Sequence, residues 1–449
     1  MDVPGSTLVA PPESGRLRVA VLASLAGKAG EMATLLLLAT VLPRVLGPTD
    51  YGHFAVPLTV VTIGSLALTL GGPTVMARFV PAAVPEERAA LALAIGARLA
   101  RGRAAQLTVL TAVALAAVVW DPARFPPLQT ALVSAALALN VAATLALQVT
   151  LGLGRAGAWS LRYPLQNAVL IVAVLLLHPA AGATGAVVAI LVAAAAAAAL
   201  GASVVAPIVG VTRPEVAVPV GALRFGGLQA AGAALMQVVH RGGVVAVALL
   251  AGSTSQTGHA ALAIGVALGV TYAVLQAFTV SLPHLAGRSG RAWGPADTAG
   301  PAAEAVLRRL AGGLLVVIVP AAALVALTLD AVVPTVFGGD YAGASSAFGP
   351  VLGVMVLAPL NALAVQAAAL RLQPGVSLAS GLAAALGFLV TAVVAVPSWG
   401  APGGTAAALV GMAAGALVSL WMLPGAVGGR IGAASFAGAV LVVVLAVAT

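Results

Sequence analysis

Cysteine is absent from this chain, and lysine occurs once, at Lys28. The first absence excludes disulfides, thiol nucleophiles and cysteine metal sites, and compartment cannot be inferred from redox chemistry. Charge is scarce as well: 7% of the 449 residues, against about 25% in a soluble domain. The net charge of +9 has no basic cluster interleaved with aromatics, so it does not point to nucleic acid. What is abundant is hydrocarbon: 61% of residues are hydrophobic and the mean hydropathy is +1.12. Most of the chain must therefore face lipid or other protein. No open sheet can cross a bilayer, so the expected fold is an all-α polytopic membrane bundle.

Apolar runs of about 20 residues, broken by Gly, Pro and charge, define the expected spans. The first six are 17–42, 53–72, 104–120, 128–150, 159–178 and 182–207. The next six are 223–250, 258–283, 306–329, 346–370, 375–396 and 402–424, and 431–448 is a short thirteenth run. Arg16 and Arg18 before "VAVLASLAG" resemble the start of a signal peptide, but the apolar run continues to Leu42, so it is read as a retained first helix. Segment 86–103 reads as a helical extension of the third span.

Arginine placement sets an expected orientation. With the N-terminus in the cytoplasm, seventeen arginines fall on the cytoplasmic side, Arg162 and Arg103 among them. Outer loops then hold only Arg44 and Arg124, while Lys28 and Arg241 fall inside spans. This is the positive-inside bias of a cell (inner or plasma) membrane protein. The expected organisation is a tail (1–16), an N-lobe (17–207), a cytoplasmic linker (208–222), a C-lobe (223–424) and the thirteenth span.

Enzymatic chemistry finds no support. All loops are short, and the histidines (53, 178, 240, 259 and 284) are scattered. No metal-ligand cluster, phosphate-cradling glycine loop or nucleophile triad appears. Neither an enzyme nor a bound cofactor or metal is expected.

Two stretches echo one another. "GPTDYGH" follows the first span and "GSTSQTGH" the seventh, each with a glycine, a polar turn, a second glycine and a histidine. Arg103 and Arg309 precede the third and ninth spans, and Asn140 and Asn361 lie within the fourth and tenth. Together these suggest two six-helix halves, the build of many secondary transporters, with the substrate path between them.

"RVLGPTDYGHFAVPLTVV" resembles the signature of polysaccharide flippases, in the multidrug/oligosaccharidyl-lipid/polysaccharide (MATE-like) exporter superfamily. Arg44, Leu46, Gly47, Pro48, Tyr51 and Gly52 carry the match. "GGPTVMARFVP", "LGLGRAGAWSLRYPLQN", "LRFGGLQAAGAALMQVVHRGG" and "VFGGDYAGASSAFGPVLGVMVLAPLN" extend it over nearly the whole chain. The resemblance implies two lobes around a central cavity through which a lipid-linked glycan crosses from the inner to the outer leaflet. A polyprenyl-diphosphate-linked glycan is the implied cargo, with membrane lipid around it and a glycan polymerase or glycosyltransferases as partners in cell-envelope polysaccharide biosynthesis. Where relatives often carry an acid after the seventh-helix arginine, this chain has Gly242 and Gly243.

The intramembrane polar residues supply the candidate site. A first helix starting near Leu17 puts Lys28 about 16 Å and Glu31 about 21 Å into a ~30 Å core. Three residues apart, they share a face and can pair. One reading places Lys28 in the cavity, binding substrate, with Glu31 balancing its charge or coupling an ion. The other is a structural ion pair, or a lysine snorkelling to the interface. Arg241 has no acid within a helical turn, and its fork fits a diphosphate; His240 and Gln237 can add hydrogen bonds. The competing readings for Arg241 are a bond to carbonyls of a neighbouring helix, or snorkelling outward to the interface. Asn140 and Asn361 are candidates for binding sugar hydroxyls, although such residues also join helices to one another. The alternative function on the same fold is a cation or drug antiporter that uses Glu31 as its proton site.

Overall fold

The computed structural model describes residues 14–448 apart from 70–71, 81–82, 85, 124, 154–155, 212–215, 219–221, 289–300 and 372. The N-terminal tail up to residue 13 and parts of the 208–222 linker therefore lie outside the described residues, as does the Lys28 side chain. No strand occurs among the described residues. The helices run α1 (Ser14–Thr69), α2 (Gly72–Phe79), α3 (Arg88–Trp120), α4 (Pro127–Gly152), α5 (Ala156–Val211), α6 (Ala222–Leu250) and α7 (Thr254–Arg288). After these come α8 (Pro301–Ala326), α9 (Leu329–Phe337), α10 (Ser345–Leu370), α11 (Pro374–Trp399), α12 (Ala401–Met422), α13 (Pro424–Val427) and α14 (Gly429–Ala448). A 3-10 turn, Gly339–Ala344, links α9 to α10.

Helix is forced here because a chain in hydrocarbon must satisfy its own backbone groups. Among the described residues, eleven helices are long and apolar enough to cross a membrane. Two of them, α1 and α5, have 56 residues each, about 84 Å if straight and far more than one crossing needs. A single glycine breaks each: Gly47 at φ 69° and Gly182 at φ 56°. A side chain strains at positive φ and glycine does not, so each run turns back as two passes. The thirteen apolar runs of the sequence are thereby accounted for in a multi-pass membrane protein. The second pass begins at Pro48, earlier than the expected residue 53, because proline is at home in a first helical turn. Segment 86–103 does continue into the third span, as α3.

Gly252 (φ 67°) separates α6 from α7, and Gly400 (φ 58°) separates α11 from α12. These turns and those at Gly47 and Gly182 share one end of the bundle, called here the Gly47 end. At the opposite end, Arg371 grips both carboxylate oxygens of Glu304 at 2.7 and 3.1 Å, and Arg308 donates to the Gly425 carbonyl at 2.8 Å. That clamp joins α8 to the α10–α11 turn and to α13. Hydrogen bonding to Glu304 holds the Arg371 guanidinium protonated beyond the ordinary arginine range.

In the N-terminal half, the first passes of α1 and α5 pack along small residues. A Cβ at Gly27 would meet Ser160, one at Gly30 would meet Pro164, and Asn167 donates to the Thr34 hydroxyl at 3.2 Å. In the C-terminal half, α10 is the central post. Its apolar window is 83% buried, whereas that of α3 is 6% buried, so α10 has protein on all sides and α3 stands against lipid. The halves share one core, in which Leu42, Tyr51 and Phe54 pack with Leu262, Ile264 and Phe337.

Candidate functional site at the junction of the two halves

At the Gly47 end the two echoed motifs lie on each other. A Cβ on Gly52 would fall on the carbonyl oxygen of Thr254, and one on Gly258 would fall on the carbonyl oxygen of Pro48. Both contacts are backbone on backbone, so the second glycine of each motif is what lets the halves meet. Arg44 adds a bond across the junction, donating to the Thr335 carbonyl at 2.7 Å. His178 and Asp50 meet at 2.9 Å within the N-terminal half. This end is shut.

Just below the closure, Tyr51 of α1 reaches into the C-terminal half. It is 7% exposed, and its hydroxyl lies 3.9 Å from where a Cβ on Gly265 would stand. Arg241 is close enough for its charge to act on both Tyr51 and His240. The guanidinium of Arg241 has no hydrogen-bond or ion-pair partner among the described residues, and its Nε is buried. An arginine bonded to nearby carbonyls, the structural reading of the sequence, is not what is found.

One turn along the same face of α6 is Gln237, about 6 Å further from the closed end. It accepts a hydrogen bond from Tyr272 at 3.1 Å. Gln237 and Asn361 line one cavity of about 310 Å³, with Ser377, Ser380 and Ser419 beside them and Thr69 of α1 across from them. That volume is at the lower end of small-ligand pockets, enough for one polar group of modest size. His240 Nε2 lies 3.2 Å from the Met412 sulfur, which the Asn361 amide approaches at 4.0 Å. Thus Gln237, His240 and Asn361, three of the candidates, gather where α6, α10 and α12 meet, and Arg241 stands next along α6, facing Tyr51 of α1. Gly242 and Gly243 are packing positions: a Cβ there would come within 2.9 Å of the Phe388 ring and 2.8 Å of the Gly404 carbonyl.

The other candidates lie elsewhere. Asn140 is 6% exposed within the N-terminal half, and its amide is fully engaged. It donates to the Ser65 hydroxyl at 2.9 Å and accepts from Arg162 at 2.6 Å. Arg162, one of the arginines expected on the cytoplasmic side, is buried in the first turns of α5, 1% exposed, with its guanidinium 4.8 Å from the Tyr163 ring centroid. Asn140→Ala should therefore strip a buried cation of its main acceptor. A loss of about 1.5–3 kcal/mol is expected in unfolding of the solubilised protein, against about 1 kcal/mol for Ser65→Ala. Glu31 is half-buried and engaged. Arg162 and Tyr51 are what the sequence analysis missed as structural centres; the arginine inside a span boundary and the tyrosine in the repeated motif were the available signals.

No family model and no curated protein matches the chain. Solved structures do. A lipid II flippase, MurJ, in an inward closed conformation aligns with a TM-score of 0.67 at 9% identity, over 90% of this chain and 87% of that one. A Vibrio cholerae MATE transporter, VcmN, aligns at 0.59 and 17% identity, over 91% and 97%. A MOP superfamily transporter from Pyrococcus furiosus gives 0.52 and 16%, over 94% and 95%. With two helical halves closed on each other at the Gly47 end around a mainly apolar cavity that carries a few polar side chains, the chain has the fold of the multidrug/oligosaccharidyl-lipid/polysaccharide transporter superfamily.

Proposed function

We propose that this protein is a flippase that moves an anionic, lipid-linked glycan from the inner to the outer leaflet by alternating access. The observation that carries the proposal is Arg241: a cation without a hydrogen-bond or ion-pair partner among the described residues, standing between the Gln237–Asn361 cavity and the closed end of the junction. A guanidinium in that setting is most costly when empty and is relieved by an anion, and its planar fork suits a diphosphate. Gln237 and Asn361 supply amides for sugar hydroxyls in the cavity, and His240 supports the same wall. Lys28, with Glu31 three residues on, would add a second cation on the N-terminal side while keeping the empty path near neutral. The prenyl tail stays in lipid. An inside-negative potential favours outward movement of an anion by ~2.3 kcal/mol per charge per 100 mV, so ion coupling is not required.

The second reading, a cation antiporter protonated at Glu31, has in its favour that MATE transporters share the fold and that Glu31 falls within the first span expected from the sequence. The two readings separate in one experiment on cells lacking the protein. The flippase predicts lipid-linked glycan trapped on the inner leaflet, protected from a glycosidase supplied outside, with unchanged resistance to cationic drugs. Lost drug resistance with normal surface glycan would replace it by the antiporter.

Orientation is part of the same proposal: the Gly47 end faces outward and the N-terminus is cytoplasmic. Because the chain lacks cysteine, a single one can be placed at will. Ser398→Cys should react with an impermeant maleimide in intact cells and Gln373→Cys only after permeabilisation. The reverse pattern would invert the direction of transport.

A further inference from the structure

The groove between α1, α3, α4 and the α6–α7 turn has no role in the path just described. It encloses about 1000 Å³. Its walls run from Gly52 to Gly64 on α1 and from Pro126 to Leu137 along the start of α4. At 1.5 Å per residue these are about 18 and 16 Å, the depth of one leaflet of a ~30 Å core. The composition is graded along that depth. His53, Gln129, Ser253 and Thr254 stand at the Gly47 end, and Val56, Val60, Leu110, Val133 and Leu137 line the deeper part, where Thr111 and Ser134 are the hydroxyls. Val109 and Val113 of α3 are 62% and 60% exposed, so the outer wall of the groove is itself bathed in lipid.

We infer that this groove is a phospholipid site: one acyl chain lies along the helices and the headgroup sits at the polar mouth. Among the described lining residues His53 is the one titratable group. The polar groups Gln129, Ser253 and Thr254 at the mouth suit the phosphate and ester oxygens of a headgroup, and the apolar depth suits an acyl chain. The wall from Ala248 to Thr257 belongs to the C-terminal half and the rest to the N-terminal half. The site is whole only while the Gly47 end is shut. A ligand that binds one arrangement better stabilises that arrangement by its difference in affinity. Phospholipid bound here therefore holds this end closed, whichever cargo the central cavity takes.

The test uses the full chain. Native mass spectrometry of protein released from phosphatidylcholine nanodiscs should show a single retained phospholipid, absent when Ala114→Trp fills the groove. Spin labels at Ala180→Cys and Thr328→Cys, exposed positions on opposite halves, report the separation at this end by pulsed electron resonance. Adding phosphatidylcholine to delipidated protein in detergent should raise the short-distance population several-fold, with little response in the Ala114→Trp variant. The wild-type titration needs no groove variant, so misfolding of that variant cannot rescue the idea. Distances that ignore phosphatidylcholine, or equal lipid retention in the filled groove, would overturn the assignment. A response to polyprenyl phosphate alone would also overturn it and give the groove to the tail of the cargo.

Discussion

Gly258→Val and Gly52→Val should each abolish transport while leaving the protein inserted and folded. The added side chain lands on a backbone carbonyl of the opposite half, Pro48 or Thr254, which cannot swing aside as a flexible side chain would. Overpacking of this kind costs typically 1–3 kcal/mol, enough to shift the closed-to-open ratio roughly tenfold to hundredfold. The halves escape the clash by separating, so the cost falls on the closed state alone. Spin labels at positions 180 and 328 should then report a longer distance, and a cysteine near the junction should become reactive from that side. Gly312→Ala, where no atom lies within 4 Å of the new methyl, serves as the control and should transport normally. Normal transport by Gly258→Val would show that closure at this end is not part of the cycle.

Arg241 should show an equally large effect with a different signature. Arg241→Ala is expected to leave the distance between the halves unchanged, because the guanidinium makes no bond that the closed state would lose. Flipping should nevertheless fall by two or more orders of magnitude, as a diphosphate would enter a water-poor junction without its counter-charge; a lost charge-assisted bond of about 1.5–3 kcal/mol per contact reaches that range when the contact is bidentate. Arg241→Lys should keep part of the rate, since the charge survives and the planar fork does not. Arg241→Gln should resemble alanine. Equal activity in all three variants would remove the anion from the proposal and leave Arg241 as a packing residue.

The fold was legible because lipid removes alternatives. Length and apolarity alone predicted the thirteen passes, and the repeated glycine motif predicted a two-part build. The two passes in each of α1 and α5 were legible as separate apolar runs, whereas the turning residues Gly47 and Gly182 were not, because a glycine at positive φ and a glycine in a helix look alike in a sequence holding 52 of them. The site was half legible. Gln237, His240 and Arg241 are neighbours on one helix, so helical spacing alone puts them together, and Asn361 joins them only through packing with α12. Asn140 looked equivalent to Asn361 under the repeat. Its amide is instead consumed by Arg162, a residue whose position at a span boundary made it read as a loop cation.

The closure also has the form of a two-fold interface inside one chain. Gly52 touches Thr254 while Gly258 touches Pro48, and both pairs are related by the same spacing, so that residue i meets j and j meets i. Two separate copies of a half-length ancestor would make this contact as a symmetric dimer, each motif serving as both lock and keyhole. One ancestral change from a larger residue to glycine would have improved both contacts at once. After duplication each copy became free to vary, and the polar linings have done so: the unpartnered arginine of α6 has no counterpart in α1, where Ser-Leu-Ala-Gly-Lys supplies a different cation. The symmetry holds where the halves touch and does not extend to Arg241 or Lys28.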